Sequence, residues 1–401
     1  MESPLRIALF APALPESGTI NGIVTYTGIM RDALRALGHS VIVLAGDHIE
    51  HKDGQVTAIG RSNRALGSYR RFVEARQPDD GSSVGIRLHI LNAFLAARRE
   101  GAEVFEIEES FGWASRLVGR GAAIVTRLHG PHGFVRDQVE TPEQRRLGDL
   151  REAAEIISFN AVQAVTSPTE RLLDGLTQRY GLKLPLARVI PNPIGAARPA
   201  DRWNVDRATA DQLLFVGRFD LCKGADVVLR AFAKALETRP SLTLVMAGPD
   251  SGLAQRDGSK MHFDEFVATE FAPEVRKRVH FFGPLPGSRI AELRLQSAFA
   301  LVLSRFEAFS YTVAEAMAVG MPVLASDCFG PSELIRDGVD GRIVPVADVT
   351  ATADAMVAMA SNPAHLARMG RSAYARAGEW LSPERIARET VALYREAIGR
   401  R

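Results

Sequence analysis

Apolar residues along the chain fall into short continuous runs, separated by longer stretches in which they recur every three or four positions. The runs at 5–11, 40–46, 56–60, 103–108, 122–130, 162–167 and 187–192 predict strands. The stretches at 22–37, 86–100, 142–158 and 168–180 predict amphipathic helices. The second half repeats the plan, with strands predicted at 212–218, 242–248, 279–283, 298–304, 322–326 and 341–346. Helices are predicted there at 224–238, 288–297, 311–319 and 348–360, and 363–400 is helical in pattern with no further strand. Such alternation builds βαβ units around largely parallel sheets.

The intervening 191–212, PNPIGAARPADRWNVDRATADQ, is rich in proline and polar residues and has no periodic pattern, so it reads as a linker. The expected fold class is therefore α/β: two doubly wound domains, 1–195 and 210–380, followed by C-terminal helices. Open sheets of this kind bind ligands beyond the carboxyl ends of their strands. Two facing domains would hold a ligand in the cleft between them.

Composition narrows the classes. A chain of 401 residues, 46% hydrophobic and 24% charged, has ample material for two cores. A net charge of +2 gives no reason to expect nucleic acid as a partner. The two cysteines, Cys222 and Cys328, make no disulfide or metal framework and fit a reduced, cytoplasmic setting. The N-terminal apolar run is too short for a signal core, and no apolar run approaches the ~18 residues of a membrane span. The stretch 61–76 carries Arg61, Arg64, Arg70, Arg71 and Arg76 against Glu74 alone. It reads either as a solvated helix face or as a docking patch for an anionic or membrane-borne acceptor, a peripheral membrane contact.

Candidate chemistry begins at SRFEAFSYTVAEAMAVGMP, residues 304–322. On one straight helix, Glu307 and Glu315 would point about 80° apart and lie roughly 12 Å apart along the axis, which suits no dyad. A helix starting just after Phe309, with Ser310 as N-cap, instead puts Glu307 in the turn and Glu315 in the second helical turn. The helix start favours an anion such as phosphate, and the two carboxylates are placed to accept from hydroxyl groups on either side of it. The bland alternative makes one a surface turn residue and the other a solvated helix residue.

A second constellation is FVGRFDLCKGADVVLRAF, residues 215–232. Gly217 ends a strand, Arg218 follows, and Lys223 with Gly224 opens a helix. Two cations there suit a departing diphosphate, although surface cations flanking a loop would look the same. In the first half, Gly18 and Gly22 occupy the first strand-to-helix turn, where close backbone approach to a ligand and a simple tight turn are equal readings. His129 ends another strand, as a ligand contact or a structural histidine. His132 is near, but no third metal ligand accompanies the pair. The chain has no D-x-D motif, no P-loop and no G-x-G-x-x-G fingerprint, so neither metal nor cofactor is expected.

Glu307 through Glu315 to Pro322 resembles the E-x7-E motif of GT-B retaining glycosyltransferases, above all family 4 (glycosyl transferases group 1). VGRFDLCKG resembles that group's G-R-x-x-x-x-K-G element. Asn21-Gly22, LRALGHSV (34–41), RLHG around His129, SPTE (167–170) and PNP (191–193) are looser matches, so nearly the whole chain is covered. The resemblance implies GT-B architecture, two Rossmann-like domains facing across a cleft, with residues 381–401 returning to the N-terminal domain. It implies a nucleotide-diphosphate sugar donor, such as a UDP-sugar, and a sugar, lipid-linked or small-molecule acceptor. Arg218 and Lys223 match the pair on the donor diphosphate, Glu315 the ribose acceptor and Glu307 the contact to the transferred sugar. Amides around Phe309, Ser310 and Tyr311 match the sugar and β-phosphate contacts, with Gly217 beside them. Gly22 matches the glycine under the phosphate, and His129 the cleft histidine. Ala308, Ser310 and Asn21 stand where the family frequently has glycine. A nucleotide-sugar 2-epimerase of the same fold and a non-catalytic nucleotide-sugar-binding protein are the rival functions.

Overall fold

A computed structural model of the chain describes residues 3–19, 21–46, 48–59, 84–135, 142–255 and 257–401. The basic stretch 61–76 lies outside the described residues. The chain forms two compact units: Met1–Pro193 with Pro383–Arg401, and Ile194–Ser382.

The first unit is built on strands β1 (Arg6–Ala11), β2 (Ser40–Ala45), β3 (His48–Glu50), β4 (Val56–Ala58), β5 (Val104–Glu108), β6 (Ala123–Arg127), β7 (Ala164–Ser167) and β8 (Ala187–Val189). Their order in the sheet is β4-β3-β2-β1-β5-β6-β7-β8. From β2 to β8 every pairing is parallel, and the inner strands are buried on both faces, mostly apolar but with Glu106 on β5 and Thr126 and Arg127 on β6 among them. Helix α1 (Gly22–Ala36) starts at the N-cap Asn21, whose Oδ1 accepts from the Ile23 amide at 2.7 Å. Within the run predicted at 56–60, β4 pairs antiparallel with β3, which in turn pairs antiparallel with β2. Three-residue β3 has no periodic signature, and its buried Glu50 is held by Arg31 and Arg35 of α1.

The final helix of the chain, Pro383–Ile398, belongs to this unit and packs against α1. Its buried face carries Ile386, Ala387, Thr390, Val391, Leu393, Tyr394 and Ala397. The Tyr394 hydroxyl donates to Glu106 on β5 at 2.8 Å.

The second unit has six parallel strands: β9 (Thr209–Val216), β10 (Thr243–Ala247), β13 (Val279–Phe281), β14 (Ser297–Val302), β15 (Val323–Ser326) and β16 (Arg342–Val344). A small hairpin, β11 (Leu253–Ala254) with β12 (Lys260–Met261), stands apart from them. The order β13-β10-β9-β14-β15-β16 reverses direction between β9 and β14. In an open α/β sheet that reversal is where ligands bind. Short helices at Phe263–Glu270, Pro273–Arg276 and Phe329–Leu334 add to the expected ones; they are too short to leave a repeating pattern in the chain. The helical tail is two helices, Pro363–Trp380 and Pro383–Ile398, because Ser382-Pro383 interrupts it.

The segment expected to be a linker is docked from Ile194 onward. Ala197 N donates to Ala318 O at 3.0 Å, Trp203 N to Val319 O at 2.8 Å and the Trp203 indole to Ser297 O at 2.8 Å. Trp203 joins the core of the second unit, which periodicity could not reveal because one buried indole anchors an otherwise polar stretch.

Candidate functional site

The reversal point of the second sheet brings three loops together. After β9, Asp220 organises the first: its Oδ1 accepts from Lys223 N at 2.7 Å and its Oδ2 from Arg218 Nε at 2.6 Å. Gly224 then starts helix Ala225–Thr238 with φ +69°, and a Cβ there would lie 1.9 Å from Leu303 O. Only glycine fits both the left-handed backbone and the space. The second loop, after β14, is joined to the first by Arg305. Its amide donates to Cys222 O at 2.8 Å, and its guanidinium forks onto both Asp226 oxygens at 2.8 Å. The third loop enters through Ser326, whose Oγ donates to Ser304 O at 2.5 Å, and through Gly330, whose amide donates to Glu307 O at 2.8 Å.

Within this frame Lys223 Nζ and Glu307 Oε1 meet at 2.5 Å, and Ser304 Oγ donates to the same oxygen at 3.0 Å. Burial works against the Lys223 ammonium, but the Glu307 charge and hydrogen bond outweigh it, leaving the amine above its ordinary range. Arg218 is likewise held above its ordinary value: Asp220 outweighs the burial. Both residues are cations at neutral pH, at the carboxyl end of the sheet.

Helix Tyr311–Val319 begins where the residues predict, with Ser310 as N-cap, φ 81° and ψ 88°, accepting from Val313 N at 3.5 Å. Phe309 is buried and its ring meets the half-buried Tyr311 edge-on at 5.5 Å. Its side chain therefore serves packing, and a ligand would meet its backbone. Glu315 lies in the second helical turn, bonded to Arg294 of helix Gly287–Gln296. The two glutamates thus keep separate cation partners. Gly217 joins β9 to Arg218, its amide bonded to Ala247 O at 2.9 Å.

The first unit has its own reversal, between β1 and β5. Gly22 opens α1 after β1 and is exposed; Gly18, with φ +75°, is the C-cap of the short turn Pro15–Ser17. His129 follows β6. Its amide and that of Gly130 donate to the buried Glu109 carboxyl at 3.0 and 2.6 Å. Burial, reinforced by Glu108 and Glu155, pushes Glu109 up to about 8. The His129 ring meets Tyr26 edge-on at 5.3 Å. Burial and then Arg127 push its imidazole down to about 3, so it is neutral at pH 7. His132 N donates to Glu155 at 2.8 Å. Among the described residues no group of three or more His, Cys, Asp or Glu is arranged to hold a metal.

Sequence reasoning missed Glu106 and Glu109. The signal was present in EVFEIEES, because a carboxylate inside a central parallel strand demands a buried partner.

The family model for glycosyl transferases group 1 matches residues 198–376, and that for glycosyltransferase family 4 matches residues 20–198. A D-inositol 3-phosphate glycosyltransferase from Kribbella flavida is 29% identical over 327 residues, 73% of this chain and 72% of that protein. Sucrose-phosphate synthase from Thermosynechococcus elongatus has a similar fold, with TM-score 0.72 and 22% identity over 99% of this chain and all of that one. Anabaena Alr3699/HepE, solved with UDP, has TM-score 0.65 and 16% identity over 97% of this chain and 99% of that one. The folds of the two units, their reversal-point loops and the two adjoining family matches lead to one conclusion: the chain is a glycosyltransferase of family 4, with the GT-B fold.

Proposed function

We propose that this enzyme transfers a hexose from a nucleotide-diphosphate sugar to an acceptor hydroxyl with retention of anomeric configuration and without a metal ion. The reading rests on one observation: Arg218, Lys223, Glu307 and the start of helix Tyr311–Val319 all belong to the loops at the carboxyl ends of β9 and β14. The solved complex of HepE with UDP-glucose supports a nucleotide-sugar donor.

In this reading, Arg218 and Lys223 meet the diphosphate as its charge grows during departure, and the dipole of the helix at Ser310 adds to them. Glu307, released in part from Lys223 as the phosphate arrives, accepts from a hydroxyl of the transferred sugar. Glu315 accepts from the ribose. His129, neutral, contributes a hydrogen bond to the sugar, as the family resemblance implies. The bond from the anomeric carbon to the phosphate oxygen breaks, and the acceptor oxygen bonds the same face. The departing phosphate oxygen takes the acceptor proton.

The donor is found by a thermal-shift screen against UDP-, GDP- and ADP-sugars, followed by hydrolysis of the best binder with EDTA present. NMR of the transfer product reads the anomeric configuration. An inverted product overturns the retaining assignment, and turnover abolished by EDTA and restored by a divalent ion overturns the metal-free one.

A further inference from the structure

Four side chains of the first unit form one line of contacts that ends at His129. Glu106, in the middle of β5, is 3% exposed. Its two oxygens are taken by two phenols: Tyr26 donates to Oε1 at 2.9 Å and Tyr394 to Oε2 at 2.8 Å. Tyr26 lies on α1, which follows β1, and Tyr394 on the last helix of the chain. The Tyr26 ring is fixed on two further sides. The Arg127 guanidinium stands 4.9 Å from its centroid, and the His129 ring meets it edge-on at 5.3 Å. Arg127 is itself anchored, through Nη2, to Ile190 O at 2.7 Å and Asn192 Oδ1 at 2.5 Å.

A carboxylate in this position is costly, since its neighbours Phe105 and Ile107 show that apolar side chains fill the strand equally well. Its geometric effect is specific. The carboxylate holds the Tyr26 phenol at one end, so the side chain cannot swing away from His129 without breaking that bond. Tyr394 occupies the other oxygen, so the carboxylate cannot swing off Tyr26 without orphaning a buried donor.

We propose that Glu106, Tyr26 and Tyr394 are positioning residues for His129, and that the last helix of the chain thereby sets the turnover rate. The proposal rests on the reading that His129 touches the transferred sugar. Turnover falls when the imidazole tilts, because a misplacement of about 1 Å in a reacting group costs about a hundredfold in rate.

The test uses the full chain and hydrolysis of the nucleotide sugar chosen by the thermal-shift screen. Tyr394→Phe removes one hydroxyl and Glu106→Gln replaces one acceptor oxygen by an amide donor; each is combined with His129→Ala. We expect each single variant to lower kcat about tenfold or more with donor KM within about twofold. On the His129→Ala background neither should lower kcat further, as coupled residues require. The His129 imidazole resonances should shift in Tyr394→Phe while those of His365 stay fixed. Losses that add to that of His129→Ala, or unchanged kcat in Tyr394→Phe together with unmoved His129 resonances, overturn the positioning role alone. Wild-type kcat in His129→Ala overturns the reading of His129 and the positioning proposal with it. Should Glu106→Gln fail to fold, Tyr394→Phe carries the same comparisons.

Discussion

Lys223 and Glu307, 84 residues apart in the chain, form an ion pair at the point where the second sheet reverses its strand order. Neither side chain is freely solvated, at 26% and 14% exposure. In the proposed function the pair is a cation for the diphosphate and a carboxylate for a sugar hydroxyl, held against each other. Removing the cation should therefore harm turnover much more than folding. Lys223→Ala should lower kcat for donor hydrolysis by about a hundredfold to a thousandfold. Its cost in stability should be ~1–3 kcal/mol, kept down because Ser304 still bonds Glu307. Stopped hydrolysis assays and urea unfolding measure the two, and near-normal turnover would remove Lys223 from the diphosphate.

Ser310 sits at φ 81°, a region that costs a side chain about 1 kcal/mol and costs glycine little. Its cap bond to Val313 N is long, at 3.5 Å, and exchanging a serine cap for glycine loses only a few tenths of a kcal/mol. Relief of strain wins. Ser310→Gly should raise Tm by ~1–3 °C, whereas Ser310→Ala keeps the strain, loses the cap and should lower it. A scanning calorimeter distinguishes the two signs, and a lower Tm for the glycine variant refutes the strain argument.

Gly224→Ala meets both a left-handed backbone and Leu303 O at 1.9 Å from the new Cβ. The first two site loops must separate to admit it. A stability loss of ~2–5 kcal/mol is expected, together with weaker nucleotide binding by calorimetry. Unchanged stability in Gly224→Ala would mean that the two loops are not locked here.

The depressed imidazole of His129 makes a prediction about protonation. A folded value of about 3 against an ordinary 6.5 means that the neutral ring favours the fold fully above 6.5. That contribution is lost as pH falls through about 3, so acid weakens the first unit through this residue. NMR of the ring should show no titration of His129 between about pH 8 and pH 5, where free histidines protonate. A midpoint near 6 would show the ring to be solvated, and the acid limb of activity would then be its own.

Much of this protein is written locally. Apolar runs of period-free strand and the three-to-four-residue rhythm of the helices fix which segments become which elements, because side-chain direction depends on immediate neighbours. The start of helix Tyr311–Val319 at Ser310 is legible for the same reason, and so is the separation of Glu307 from Glu315 into turn and helix. Tertiary structure decided what those residues touch. Strand order put the loops after β9 and β14 side by side, giving Glu307 to Lys223, while helix packing gave Glu315 to Arg294. It also joined Tyr394 to Glu106 across 288 residues and docked Trp203 from a stretch that reads as a linker. Such pairings are invisible in the chain because a contact between distant residues leaves no periodicity; only the sheet's order and the need to satisfy buried polar groups select them.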